Sequence, residues 1–185
     1  MNKKTKELSL AALLTALSIL ITYSPLKLYL PFFTLTPGAH VPTMLAMFTE
    51  PWVIIMTVIG SCIGFFMTIP APNSIIVVLR AATHLVFAMW GAREIKKGKM
   101  NMFLIILITG LLHSLTEGLV VYFLTPIVLP DNDTLAITAA MVAFFGTFTH
   151  HIIDSAITAP ILAALGRSKV IHIPQNFKLR RKNNA

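Results

Sequence analysis

The sequence predicts an all-α integral membrane protein with six transmembrane helices and with its N and C termini in the cytoplasm. Composition is the first reason: of the 185 residues, 56% are hydrophobic and only 12% are charged. The mean hydropathy is +0.78. Because soluble globular domains carry about 25% charged residues, a chain this apolar favours a lipid bilayer as its surroundings.

Six apolar segments, which we expect to form one transmembrane domain, give the second reason. They cover residues 8–23, 36–48, 52–69, 75–92, 102–124 and 138–165. Crossing the hydrocarbon core takes about 20 residues of α-helix, so the short second segment is the weakest candidate. It contains Pro37, Gly38 and Pro42, and we expect it to be helical only after Pro42 and to be buried by its neighbours.

Lysine and arginine placement predicts the orientation and is the third reason. Of the 15 Lys and Arg residues, only Lys27 and Arg80 fall outside the predicted cytoplasmic segments. Cytoplasmic segments of membrane proteins carry such an excess of basic residues. We interpret the basic tail, residues 166–185, as a topology signal that also attracts anionic lipid headgroups, and not as a nucleic-acid binder. The N-terminal stretch lacks a small-x-small cleavage site, which favours a retained first helix over a signal peptide.

Pairs of ionisable side chains stand four residues apart in each of the last three apolar segments. Residues four apart share one face of a helix, and ionisable groups at membrane depth usually face a cavity or each other. Three such faces can converge on one interior site, most of it in the outer half of the membrane. The candidate substrate-binding residues are Arg80, His84, His113, Glu117, His150 and Asp154, with His40 from the second segment.

Two roles remain open for Arg80. It can form a structural ion pair with Glu117 or Asp154, because a buried charge needs a partner. Alternatively its planar fork binds the carboxylate or phosphate of a substrate. If His113 neutralises Glu117 and a neighbouring His neutralises Asp154, Arg80 is the group best placed to meet an anion. A histidine taken alone is more often a helix–helix hydrogen-bonder than a ligand.

His150 and His151 are adjacent, so their side chains point about 100° apart on a helix. We expect only one of them to face the site, and we favour His150 because Asp154 shares its face.

Metal chemistry is the main alternative to a purely organic binding site. The sequence has no His-Glu-x-x-His motif, which a common class of zinc proteases uses. A His/Glu/Asp metal site, and with it an intramembrane metal enzyme, remains open. We nevertheless predict no resident metal or cofactor and no enzymatic activity. The chain also lacks the Walker A pattern of an ATPase.

The first predicted helix carries Ala12 and Ala16 in a small-xxx-small arrangement. Small residues at this spacing let a second helix approach closely in lipid. The second helix can belong to this chain or to a partner protein.

The layout of the chain resembles the substrate-binding S components of energy-coupling factor (ECF) vitamin transporters. The stretch ALLTA at residues 12–16 matches their Ala-xxx-Ala motif. The stretches GAHVPTMLAMF, VLRAATHLVFAMWGA and LLHSLTEGLVVYF are most similar to the niacin group, and pantothenate S components come next. A metal-ion S component and a proton-coupled secondary transporter remain as further alternatives.

The resemblance implies a single substrate-binding domain in the bacterial plasma membrane. It would capture a vitamin from outside, dock through Ala12 and Ala16 on the transmembrane coupling subunit, and topple in the membrane. Two ATPase subunits would use the ATP. Niacin and pantothenate are anions, so either suits Arg80 with histidine donors beside it. The first outer loop, with the aromatic residues Tyr29, Phe32 and Phe33, would close over the vitamin as a lid.

Overall fold

The computed structural model describes residues 2–30, 33–71, 73–128 and 133–174, and in these residues the chain is almost entirely helical. The helices are α1 (Lys3–Ile21), α2 (Val41–Ala46), α3 (Pro51–Thr68), α4 (Asn73–Ala82), α5 (His84–Lys97), α6 (Met102–Val128) and α7 (Asp133–Arg167). A short antiparallel hairpin, β1 (Leu28–Leu30) and β2 (Phe33–Leu35), precedes α2. The prediction of an all-α membrane protein is consistent with this architecture.

Four helical stretches are long and apolar enough to cross a membrane. They are Pro51–Thr68, Asn73–Lys97 (α4 and α5 together), Met102–Val128 and Thr134–Arg167. The other two predicted spans do not meet this standard among the described residues. The first turns of α1 are rich in charge, and α2 has only six residues. At 1.5 Å per residue, six residues rise about 9 Å, so the prediction of six spans is not confirmed.

The short α2 lies inside the protein, where it was expected. Pro42 stands in its first turn, a position that needs no backbone N–H donor. All six residues of α2 are buried, and four of them share one apolar core with Ile54 of α3 and Phe87 of α5. This packing fixes the position of His40, which directly precedes α2.

Helices α1 and α3 approach closely at Gly60 and Gly64. A Cβ atom built on Gly60 would lie 2.8 Å from the carbonyl oxygen of Thr15, and one on Gly64 would lie 2.6 Å from Thr22 Oγ1. Both distances are shorter than real contacts, so glycine is required for this approach. The buried residues of α1 are Ala11, Leu14 and Ser18.

The start of α1 and the segment after α7 meet at the same end of the bundle. Lys6 Nζ donates to the carbonyl oxygen of Lys169 at 2.9 Å, and Lys3 Nζ lies 3.1 Å from Glu50 Oε1. Lys3 and Lys6 also share a cavity with Arg93 and Lys96. The basic residues of three sequence regions are therefore gathered at one end, as predicted. That this end is cytoplasmic remains a prediction.

Two sequence predictions fall partly outside the described residues. Residues 175–185, which form most of the basic tail, are not described. The aromatic lid depends on Phe32 and on the side chains of Tyr29 and Phe33, and these also lie outside what the structure describes.

Candidate functional site

A break between α4 and α5 places the first two residues of the site. Thr83 Oγ1 donates to the carbonyl oxygen of Arg80 at 2.7 Å, and the Thr83 N–H bonds the same oxygen at 3.0 Å. A hydroxyl that donates to a helix carbonyl oxygen competes with the backbone hydrogen bonds of the helix. A turn therefore interrupts the helix, and α5 begins at His84. Arg80 and His84 are nevertheless both buried and both reach α6.

Glu117 of α6 is the acceptor they share. Its Oε2 accepts hydrogen bonds from Arg80 Nε at 3.0 Å, Arg80 Nη2 at 2.6 Å and Thr147 Oγ1 at 2.6 Å. Its Oε1 lies 3.2 Å from His84 Nε2 and 3.3 Å from His113 Nε2. Arg80 and Glu117 are only 6% and 4% exposed. Their pairing supplies the compensation that two buried charges require.

The Arg80–Glu117 ion pair is one of the two roles that the sequence left open for Arg80. His113 does contact Glu117, as expected, but it shares this carboxylate with Arg80. His113 therefore does not release Arg80 from Glu117. An incoming anion would compete with Glu117 for the guanidinium group.

Asp154 of α7 is the second carboxylate of the site and is fully buried. It accepts from the backbone N–H of Gly38 at 2.7 Å and of His40 at 3.0 Å, and from His40 Nδ1 at 2.9 Å. His150 Nε2 lies 3.1 Å away, as the four-residue spacing predicted. Gly38 has φ +83°, a backbone conformation that favours glycine. These bonds attach the segment before α2 to α7.

His40 joins the two halves of the site. Its ring lies edge-to-face against the rings of His84, His113 and His150, with centroid separations of 4.7, 4.5 and 4.5 Å. The structure thus brings together all seven residues predicted for the site. They are His40, Arg80, His84, His113, Glu117, His150 and Asp154.

Of the two adjacent histidines, His150 lines the small cavity of the site, as expected, and His151 instead contacts α6. His150 Nε2 lies 3.0 Å from the carbonyl oxygen of Thr36, whereas His151 lies 3.1 Å from His113 Nδ1 and 3.1 Å from Thr109 Oγ1. Because α7 packs against β2 on one side and α6 on another, two diverging side chains both find protein partners.

Thr147 is a functional neighbour that the sequence analysis missed. Its hydroxyl bonds Glu117 Oε2. It stands four residues before His151 and seven before Asp154, a spacing that places all three on one side of a helix. This spacing is the feature of the sequence from which Thr147 could have been predicted.

Five of the seven predicted residues line a small cavity of about 20 Å³. Its walls include Thr34 of β2 and Thr36 directly after β2, together with His40, Arg80, His84, Glu117 and His150. A space of this size has room for about one water molecule. A larger cavity of about 830 Å³ lies at the basic end of the bundle. The small cavity is the candidate site because the buried carboxylate, guanidinium and imidazole groups converge on it.

Two sets of side chains within this cluster have the composition of metal ligands. Ligand atoms of His40, His84, His113 and Glu117 all lie within 4.8 Å of one another, and so do those of His40, His150 and Asp154. Histidine and carboxylate are common ligands of transition metals. The second set encloses a carboxylate that already accepts two backbone N–H groups, so the first set is the better candidate.

These features define a helical membrane protein with a buried cluster of histidines, carboxylates and one arginine. The chain is 38% identical over 126 residues to the niacin transporter NiaX of Lactococcus lactis subsp. cremoris (strain MG1363). The match covers 64% of this chain and 55% of the relative, so it spans about half the length of that protein. It confirms the predicted resemblance to the niacin group. No family model matches the chain, and no solved structure matches it significantly.

Proposed function

We propose that the chain is the substrate-capture subunit of an ATP-driven ECF-type vitamin importer in a bacterial plasma membrane, and that its vitamin is niacin. The observation that carries this proposal is the 38% identity to a niacin transporter. On this view the chain is not an enzyme. The ATP would be used by two partner ATPase subunits, and the transmembrane coupling subunit would connect them to this chain.

The proposed substrate contact is Arg80. Nicotinate, the anion of niacin, presents a planar carboxylate that matches the guanidinium fork. Arg80 Nε and Nη2 now donate to Glu117 Oε2. An oxygen of the incoming carboxylate would replace this Glu117 oxygen as the acceptor. His84 and His113 already lie beside Glu117 Oε1. His84 can donate to Glu117 and keep it partnered during this exchange, which limits the cost of desolvating it.

Entry of the vitamin requires the walls of the cavity to move, because the cavity holds about one water molecule. The segment between β2 and α2 is the wall that we propose to open. It is held by hydrogen bonds from His150 to the Thr36 carbonyl oxygen and from Gly38 and His40 to Asp154. Releasing these bonds would expose Arg80 and His84 and leave the apolar contacts of α2 in place.

The proposed docking face for the coupling subunit is the side of α1 that bears Ala12 and Ala16. Both alanines are exposed, whereas the residues on the other side of α1 are buried and pack towards α3. Ala12 and Ala16 therefore do not serve to pack α1 against the other described helices of this chain. A partner helix could approach there closely.

Binding and transport assays together test the proposal. The purified chain alone should bind nicotinate in a calorimetric titration and should prefer it to pantothenate. Repeated uptake into liposomes should require the coupling and ATPase subunits and ATP. Uptake by the chain alone, driven by a proton gradient, would instead identify a secondary transporter. Failure to bind either acid would contradict the proposal.

A further inference from the structure

We infer that His40, His84, His113 and Glu117 form a binding site for a divalent transition metal ion of the zinc class. We further infer that this ion acts together with Arg80 to hold the carboxylate of the substrate. The second statement rests on the proposed function, whereas the first does not.

The distances between the ligand atoms suit a tetrahedral ion. Glu117 Oε1 lies 3.2 Å from His84 Nε2 and 3.3 Å from His113 Nε2. With metal–ligand bonds of about 2.0–2.1 Å, the edges of a tetrahedron measure about 3.3–3.4 Å. Two of the six edges therefore match a tetrahedron, and one atom of His40 completes a group whose four ligand atoms lie within 4.8 Å of one another.

Two of the proposed ligands, His40 and Glu117, are oriented by hydrogen bonds to the atoms that would point away from the metal, as is usual for metal ligands. Asp154 Oδ2 accepts the His40 Nδ1 proton at 2.9 Å, which leaves Nε2 with the lone pair that a metal needs. Arg80 and Thr147 both donate hydrogen bonds to Glu117 Oε2, so Glu117 Oε1 is the oxygen that can bind the metal ion. Carboxylate–histidine–metal arrangements fix the ring tautomer and orientation in the same way.

Hydrogen bonding also assigns the tautomer of His113. The Thr109 hydroxyl donates to the Ile105 carbonyl oxygen at 2.7 Å, so it accepts from His151 Nε2 at 3.1 Å. In the neutral His151 ring Nδ1 is then an acceptor, and His113 Nδ1 donates to it at 3.1 Å. The lone pair of His113 Nε2 therefore faces Glu117 Oε1, another acceptor. A metal ion between the two atoms satisfies both, as does an extra proton on either group.

The cavity and the donor types select the kind of cation. A cavity of about 20 Å³ that borders His40, His84 and Glu117 is large enough for one ion. Three imidazoles and one carboxylate suit zinc and similar transition metals. Magnesium and calcium prefer oxygen ligands throughout.

A metal ion here changes the charge balance in favour of an anionic substrate. The ion and Arg80 would carry three positive charges, against the two carboxylates Glu117 and Asp154. One buried positive charge would remain, and an uncompensated buried charge is costly. A substrate carboxylate cancels it, so the metal and nicotinate should strengthen each other's binding.

The first experiment measures metal binding by the full chain in detergent after treatment with EDTA. Titration with Zn²⁺ should show one equivalent bound per chain. His113→Ala should weaken this binding by about 100-fold or more, and Thr147→Val, which keeps all four ligands, by about 10- to 100-fold. His172→Ala is the matched control, because His172 is exposed at the basic end. Absence of stoichiometric binding to wild type, or an equal loss in the control, would overturn the inference.

The second experiment needs no variant and separates the two proposals. Co²⁺ in the stripped wild-type protein should give the visible absorption bands of a tetrahedral ion, and nicotinate should shift them. Zn²⁺ should raise the affinity for nicotinate by about 10-fold or more, a usual size for coupling between ligands. Equal nicotinate affinity with and without zinc overturns the role of the metal but leaves the proposed function intact. Zinc binding without any nicotinate binding supports the metal site and contradicts the proposed function.

Discussion

Arg80 of α4 and Glu117 of α6 form an ion pair inside the protein, with Arg80 Nη2 2.6 Å from Glu117 Oε2. The same carboxylate oxygen accepts the Thr147 hydroxyl from α7. Three helices are therefore connected at one oxygen atom. An anion that bound Arg80 would act on all three helices, which would link the proposed substrate binding to the packing of the bundle.

Replacing Arg80 tests its role as the substrate contact. Losing a desolvated charge-assisted pair costs about 2–5 kcal/mol, which is roughly a 30- to 4,000-fold loss of affinity. We expect Arg80→Ala to lose nicotinate affinity within this range in a calorimetric titration. Arg80→Lys should also bind poorly, because an ammonium group cannot form the fork.

A ligand comparison on the wild-type protein serves as the control for Arg80. Nicotinamide has the same ring without the charge and should bind much more weakly than nicotinate. A folded Arg80→Ala variant with unchanged nicotinate affinity, or a wild type that prefers the amide, would rule out the assignment.

Replacing Ala12 and Ala16 together with leucine tests the docking face. Both side chains are exposed, so the larger residues should leave the fold and nicotinate binding unchanged while preventing close approach of a partner helix. Copurification with the coupling subunit should be lost. The matched control is Ala156→Leu with Ala159→Leu, which changes two exposed alanines of α7. If both double variants copurify equally well, α1 does not provide the docking face.

Adding a methyl group at Gly60 tests the packing of α1 on α3. The new Cβ would lie 2.8 Å from the Thr15 carbonyl oxygen, and this backbone atom can move only if the helices separate. Overpacking of this kind costs about 1–3 kcal/mol, so Gly60→Ala should lower the thermal unfolding midpoint in detergent. Gly118→Ala is the control, because its Cβ would meet the Ala140 carbonyl oxygen at 3.4 Å. A midpoint unchanged in both variants would contradict the close approach.

Replacing Asp154 tests the attachment of the segment between β2 and α2. Asp154 accepts the backbone N–H groups of Gly38 and His40 with different oxygens. An asparagine side chain offers only one acceptor oxygen. Asp154→Asn should therefore make this segment more sensitive to protease. The control Glu50→Gln removes a carboxylate from an exposed ion pair with Lys3, which contributes little. Equal cleavage rates in wild type and the Asp154→Asn variant would contradict the role of Asp154.

The sequence was sufficient to predict that seven ionisable side chains meet inside the protein, because a four-residue spacing fixes the helix face for three pairs of them. His113 and Glu117, for example, meet at 3.3 Å as this spacing requires. It also reduced the partner of Arg80 to Glu117 or Asp154. Choosing between them depends on how α4, α6 and α7 pack, and single-helix patterns do not contain that information.

The parts that could not be predicted depend on tertiary contacts. The break at Thr83 arises when its hydroxyl bonds the Arg80 carbonyl oxygen, and threonine has the same option in many unbroken helices. The contact of His151 with His113 depends on α6 lying beside α7. The shortness of α2 was only partly visible, since prolines mark where a helix can begin but not how the chain is buried.

The small size of the cavity has a kinetic consequence. In the proposed mechanism, nicotinate reaches Arg80 only after the Thr36–His150 and Gly38–Asp154 bonds break, so opening would precede binding. The observed association rate should therefore level off at high nicotinate concentration, where it equals the opening rate. The same bonds, once re-formed over the vitamin, would slow its departure. Tight capture would then arise from a long residence time and not from fast encounter.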